Sequence, residues 1–576
     1  MKKGTLDTGS EYSPGSSDGI PFTSPLPSAV ELPLGGAVTS ADAICSFSTL
    51  RLLIDDYFAY IHPLIPLPHE PSFRVSFERR QDTTDGTFLA LVASMVGVLV
   101  SSFPRRPKLH LKMESEKAAF PDSMALVRRC HEVALQARGI GFYDRHATVY
   151  DAVISYNLGL TSGFVFNIQR SRMYLNECQA LVHSYNMSHQ PRAMKDQAAG
   201  GATPDEDQVN KIERELGRRL YYLCFSFYRT TEQLAANEGK RYVLPENSSR
   251  RYPPLPLEVD DEYIFPTHVE PQPADTVSQI VGFNRNVQIF GTANDIIAWE
   301  VAFGTDAFDW DRRKTIIWEC LQKAKASVHD LPPELTLTSP MVPGGMPELK
   351  NIRSILYEIQ KSNIYATQLS TRSYLVEKYW NTYDIHRIYL ERERAHAGNS
   401  AMDIDDIMQA EIDTDYIGKS MAEERRLIIK DLFVLVQSIN KINMQPNGAS
   451  IVRSLPTKPL QEDLTIKLFL LSGRLQTHKI RQIAATLLNI IHEERPAERG
   501  LSAPGPYPLT LEEAYSYLQI FIDTLMQMDF LVPMPEGNKG MSYEDDTDYD
   551  EEQLRQWASL QKYQKIFAEA GEWLGF

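Results

Sequence analysis

Apolar residues along this chain recur mostly at intervals of three and four, the spacing that gathers side chains on one face of a helix. Leu53, Ile54, Tyr57, Phe58 and Ile61 form one such face, and Pro63, Pro66, Pro68 and Pro71 follow it. Proline lacks an amide hydrogen and its ring clashes with the preceding turn, so the helix must end in a rigid, extended corner. Residues 124–138 place Val127, Cys130, His131, Ala134 and Leu135 on one face; residues 149–166 are nearly all apolar, and residues 171–189 are amphipathic. The same spacing predicts helices over 276–303, 312–329, 351–379, 423–443, 479–492 and 511–528. Long strand-like alternations and fixed-period repeats are not evident. The expected fold class is all-α.

Between the helical stretches, residues 1–45 are rich in Ser, Pro, Gly and Thr without helical period, which predicts a disordered leader or linker. A polar segment at 190–208 reads as a loop, and proline-rich residues 245–273 as an irregular connection. Residues 451–477 interrupt what otherwise reads as two helices joined by a short loop. They are either a retained intron or lineage insertion, or an ordinary helical hairpin. The uncharged run at 88–103 is sixteen residues long and contains serines and Gly97. A spanning helix wants about 20 apolar residues, so this run predicts a buried core helix and no membrane partner. The start of the chain has no apolar signal-peptide core.

Composition narrows the function classes. The formal charge of −16 disfavours broad attraction to nucleic-acid backbones, which depends on Lys and Arg neutralising phosphates. Cys45, Cys130, Cys178, Cys224 and Cys320 are all more than forty residues apart, which points to reduced thiols rather than a disulfide framework. It also argues against a thiolate zinc site, whose ligands usually come in close pairs. No zinc-protease helix, nucleophile elbow or phosphate loop is present. Gly139 and Gly141 begin a dinucleotide fingerprint, but Asp144 stands where its last glycine belongs, so a helix-ending turn is expected. The chain is read as not an enzyme, with no catalytic residue, cofactor or metal ligand of its own.

Other constellations have structural readings beside functional ones. His62 and His69 could ligate a metal, but their proline-rich setting suits capping and hydrogen bonding within the corner. Arg218 and Arg219 precede an aromatic stretch, where a guanidinium can stack on tyrosine or pair with Glu213, Glu215, Asp260 or Asp261. The basic run PRRPKLHLK, residues 104–112, reads as a solvated surface or a nuclear localisation signal. Near the C-terminus, acidic residues 543–552 precede Trp557, Leu560, Tyr563, Ile566, Phe567, Trp573 and Phe576, a pattern that suits either an activation segment or a docking helix. Asp546, Asp548 and Asp550 imitate a calcium loop, but Glu551 occupies its glycine position.

Two blocks carry a resemblance. In the first, the aromatic pair Tyr57 and Phe58 precedes His62, Pro63, Pro66, His69 and Phe73. In the second, Glu213 or Glu215 is followed by Arg218, Arg219, Tyr221, Tyr222, Gly239, Leu255, Pro256, Asp260 and Asp261. Their order and wording resemble the middle homology region of fungal zinc binuclear cluster transcription factors, over residues 46–270. Tyr228-Arg229 replaces the family's usual Asp-Arg, Gly239-Lys240-Arg241 its Gly-Arg-Pro, and tyrosines its common tryptophan.

The resemblance implies an irregular α-helical superhelical array with long loops, in a nuclear regulator of RNA polymerase II genes. Its partners would be transcriptional machinery or other proteins, with a small-molecule effector as a further candidate. DNA binding and zinc belong to the family's six-cysteine N-terminal cluster, whose motif the five scattered cysteines do not form. The expectation is that this cluster is missing because the gene boundary starts too late or because the protein lost it. The expected organisation is a linker at 1–45, the middle homology region at 46–270, a C-terminal helical region at 271–540 and an acidic-aromatic tail at 541–576. The alternative is a helical interaction scaffold that competes with full-length relatives.

Overall fold

The computed structural model describes residues 40–444 and 446, apart from 104–108, 140–141, 143–144, 166, 190–209, 234–242, 248–250, 305–308, 338–351 and 398–415. Residues 1–39, Gly141, Asp144, Gly239, the loop at 190–208, the segment 451–477, the expected helices at 479–492 and 511–528 and the tail at 541–576 lie outside the described residues. The fold is all-α: no β-strand occurs among the described residues, and an isolated bridge joins Ile264 and Val269.

Helix α1, Phe47–Asp56, starts at Ser46, whose side chain accepts from the Thr49 amide, and runs on into a π-helical turn, Tyr57–Ile61. After the proline corner come α2, Glu70–Glu78, and α3, Gly86–Ser102. Then follow α4, Glu114–Ala119; α5, Ser123–Arg138; α6, Val149–Phe164; and α7, Ile168–His189. Helix α8, Lys211–Gln233, leads to the irregular stretch before α9, Gln279–Gly291. The remainder comprises α10, Asn294–Phe303; α11, Trp310–Ala326; α12, Ile352–Ala397; α13, Tyr416–Ser438; and the short α14, Lys441–Met444.

Helix α3 is the centre of the N-terminal half, packed against both α5 and α6, while α6 lies on α7 and α7 on α8. Every α3 residue from Phe88 to Ser102 is buried, as the uncharged run predicts, and no described helix is long and apolar enough to cross a membrane. Its serines are satisfied locally: Ser94 donates to the Leu91 carbonyl at 2.8 Å and Ser102 to that of Val98 at 2.7 Å. Asn157 of α6 donates to the Ser94 hydroxyl at 3.1 Å. Close approach of α6 and α7 requires Gly159, where a Cβ would stand 2.7 Å from Leu175 Cγ. In the C-terminal half α12 is the axis, with α9, α11 and α13 packed against it.

Several expectations need correction. Residues 40–45 are not a disordered linker: Ala41, Ile44 and Cys45 are buried, the Ala41 amide donates to Asp82 at 2.8 Å, and Arg129 donates to the Ala43 carbonyl at 2.7 Å. Leu135 does not share the buried face of α5 but lies 41% exposed. The packed face is Leu126, Val127, Cys130, Val133 and Ala134, one helical step around. The helix expected over 276–303 is broken between α9 and α10, where the Thr292 hydroxyl donates to the Ile289 carbonyl at 2.7 Å. The helix expected to end at 379 continues to Ala397, because Tyr383 is still buried against Trp310. Gly139 ends α5 with φ of 75°, a conformation that favours glycine, in keeping with a helix-ending turn.

Candidate functional site

The proline corner fixes the first half of the site. Tyr57 is fully buried and its hydroxyl donates to the Leu67 carbonyl at 2.9 Å, tying the π-helical turn to the corner ten residues on. Phe58 packs on His62 and Phe73, with ring centroids 5.1 and 5.5 Å apart. His69 is the N-cap of α2: its Nδ1 accepts from the Ser72 amide at 3.4 Å, which leaves Nε2–H to donate to the Asp261 carbonyl at 2.8 Å. His62 uses its ring in the same sense, with Nε2 donating to the Pro68 carbonyl at 3.0 Å and Nδ1 accepting from Gln279 at 3.2 Å.

Helix α8 and the irregular segment after it supply the other half. Arg219, 1% exposed, donates from Nη1 to Asp261 Oδ1 at 2.6 Å and to the Pro66 carbonyl at 3.2 Å. The other Asp261 oxygen accepts the Glu70 amide of α2 at 2.9 Å and lies 3.7 Å from His62 Nε2. Glu215, one turn before Arg219, accepts the Leu257 amide at 2.7 Å and pairs with Arg218 at 3.3 Å. Of the four carboxylates within the expected reach of the arginines, Asp261 makes the direct contact with Arg219, and Glu215 stands 3.8 Å from its Nε. Asp260 instead accepts the Gln279 amide at 3.0 Å and pairs with Arg353 at 3.2 Å, while Glu213 accepts from Asn210 at 3.4 Å.

Burial and charge oppose each other at this junction. Burial pushes the Asp261 carboxyl upward, but the Arg219 guanidinium beside it and the hydrogen bond from the Glu70 amide outweigh it and hold the acid below its ordinary range. Glu215 goes the other way: burial raises it even with Arg219 and Arg218 beside it. Burial likewise lowers His69 against the pull of Asp261, which favours the neutral imidazole that its capping role requires. With Arg219, Asp261, His62 and His69 all buried, their polar groups tie chain segments together.

The two sequence blocks thus meet in one place. Tyr57, Phe58, His62, Pro63, Pro66, His69, Phe73, Arg219 and Asp261 belong to the junction, with Asp260 on its flank. Pro256 lies nearby, its carbonyl accepting from Asn284 at 2.9 Å. Arg218 reaches only Glu215 among the carboxylates considered. Tyr221 and Tyr222 belong to a separate aromatic group with Phe225 and Tyr252, where Tyr222 donates to the Pro253 carbonyl at 2.5 Å. Two glutamines complete the junction without having stood out in the sequence. Gln279 bridges His62 and Asp260, and Gln360 of α12 donates to the carbonyls of Pro63 at 3.1 Å and Gln279 at 2.5 Å. A Cβ on Gly282 would stand 2.6 Å from the Gln360 side-chain oxygen, so a glycine there lets α12 approach.

The nitrogens of His62 and His69 are engaged by protein groups, and among the described residues no three His, Cys, Asp or Glu side chains are placed to hold a metal ion. The five cysteines are buried free thiols and do not fit a binuclear zinc cluster. Comparison of the chain with protein-family models, with curated proteins and with solved structures gives no match.

Proposed function

We propose that this protein is a fungal-type transcription regulator, with residues 46–270 as its middle homology region. The observation that carries the reading is the convergence of the two resembling blocks on Asp261. Residues from the first block, His69 and the Glu70 amide, and Arg219 from the second bind the same side chain or its carbonyl. A motif made of an aromatic pair, prolines, histidines, an arginine and an aspartate then has one physical purpose, to close a helical body around a buried polar lock.

In this reading the body is regulatory. It restrains or exposes an activation surface, for which the acidic and aromatic residues 541–576 are the candidate, in response to a partner or a small molecule. Nuclear location follows from the same reading, and DNA contact and zinc would come from a six-cysteine module that the described residues do not include. The test is a reporter assay with the full chain fused to an unrelated DNA-binding module. Reporter output should change relative to the module alone, and removal of 541–576 should abolish any activation. Output equal to that of the module alone would overturn the proposal.

A further inference from the structure

Cys178 on α7 and Cys224 on α8 face each other across the contact between these helices, their sulfurs 3.7 Å apart. Both are free thiols and both are buried, at 0% and 4% exposure. They stand 46 positions apart in sequence, so a bond between them would close a long loop. The location is also mechanically relevant, because Cys224 lies five residues beyond Arg219 on the helix that anchors Asp261.

We propose that Cys178 and Cys224 form a modification site, in which hydrogen peroxide oxidises the pair to a disulfide that staples α7 to α8. A disulfide needs its sulfurs about 2 Å apart, so the 3.7 Å gap must shorten by less than half, a movement within the range of side-chain rotation. In the first step the thiolate of one cysteine attacks the peroxide. A sulfur–oxygen bond forms, the oxygen–oxygen bond breaks, and the leaving hydroxide takes a proton to become water. In the second step the other sulfur attacks the sulfenic acid. The sulfur–sulfur bond forms, the sulfur–oxygen bond breaks, and the second thiol's proton leaves with the departing hydroxide as water. Two thiols and one peroxide thus become one disulfide and two waters, with the peroxide reduced by two electrons.

Burial raises the Cys178 thiol well above its ordinary range, with the neighbouring Cys224 adding to the rise. Thiolate on Cys178 is therefore scarce at neutral pH, and attack from that sulfur accelerates in base. The pair responds to sustained oxidant rather than to a brief pulse.

The full chain treated with hydrogen peroxide at pH 7 and at pH 9, then denatured and alkylated, tests this directly by mass spectrometry. The expected product is about 2 Da lighter than the reduced chain, with three cysteines still open to alkylation and one cross-linked peptide pair containing Cys178 and Cys224. It should form faster at pH 9 and revert with dithiothreitol, and Cys224→Ala should not form it. Five alkylated cysteines after treatment, oxygen added to either sulfur without a cross-link, or a cross-link through Cys45, Cys130 or Cys320 would each overturn the proposal. The peptide map of the unaltered protein decides the matter even where Cys224→Ala fails to fold.

Discussion

The junction around Asp261 and the bundle around α12 are both buried, but different forces organise them. At the junction, hydrogen bonds join residues far apart in sequence: His69 to Asp261 across 192 positions, Arg219 to Pro66 across 153, and Gln360 to Pro63 across 297. In the bundle, Ile317, Leu321, Leu375, Ile429, Leu432 and Leu435 form an apolar core. Ion pairs such as Arg372 with Glu424 and Lys378 with Glu300 lie among its helices. The polar junction depends on particular atoms and directions, whereas the bundle depends on volume and area. The junction is intolerant of chemical change; the apolar positions of the bundle should accept substitutions that keep their size.

This contrast can be broken first at the junction. Arg219→Ala leaves Asp261 buried without its cation, and removing one partner of a buried pair costs roughly 3–5 kcal/mol. Denaturant unfolding of the full chain should show a loss of that size, and a loss below about 1 kcal/mol would mean that Arg219 does not hold the buried Asp261 in the junction. In the bundle, Leu432→Ala should cost about 2–5 kcal/mol through the cavity it leaves, while Leu432→Met should cost less than about 1.5 kcal/mol. Equal losses from the two substitutions would contradict a core governed by volume.

A smaller effect comes from pH. Burial, aided by the Arg170 charge, pushes His131 down from 6.5 to about 4, and burial lowers His69 in the same direction. Both are neutral in the folded protein, whereas the unfolded chain takes up protons below its ordinary histidine value. The stability they support is therefore full above pH 6.5 and falls as pH drops toward 4. Glu215, raised by burial, works against this trend, because its folded form gains protons before its unfolded form does. Melting temperature measured across this window should decline, and His131→Gln should flatten the decline. A variant that keeps the full slope would show that His131 does not titrate as its burial requires.

The two regions also differ in how far they can be read from sequence. Helical spacing makes the all-α class legible, and α3 is legible as a core helix because an uncharged run too short for a membrane has only the interior left. At the junction, the residue types stand out: a proline corner with two histidines, paired arginines and paired aspartates. Their partners do not, since Arg219 could as readily have met Glu213 as Asp261. Gln279 and Gln360 carry no signal, because an uncharged amide on a helix looks like surface until another segment arrives to use it. The limits of α12 are hidden for a related reason: its extension past residue 379 is stabilised by Trp310, from a different helix. The packing of residues 40–45 depends on Asp82 and Arg129, which their own polar composition does not announce.

Arg219 holds the buried Asp261 carboxylate in the place where it receives the first block through the Glu70 amide, and a double-mutant cycle measures that hold most directly. Unfolding free energies are needed for the unaltered chain, Arg219→Ala, Asp261→Ala and the double variant. A coupling of about 2 kcal/mol or more, with the double variant losing much less than the sum of the singles, is the result predicted here. Additive losses would contradict it, since the two residues would then contribute independently and Arg219 would not be what holds the carboxylate that receives the first block.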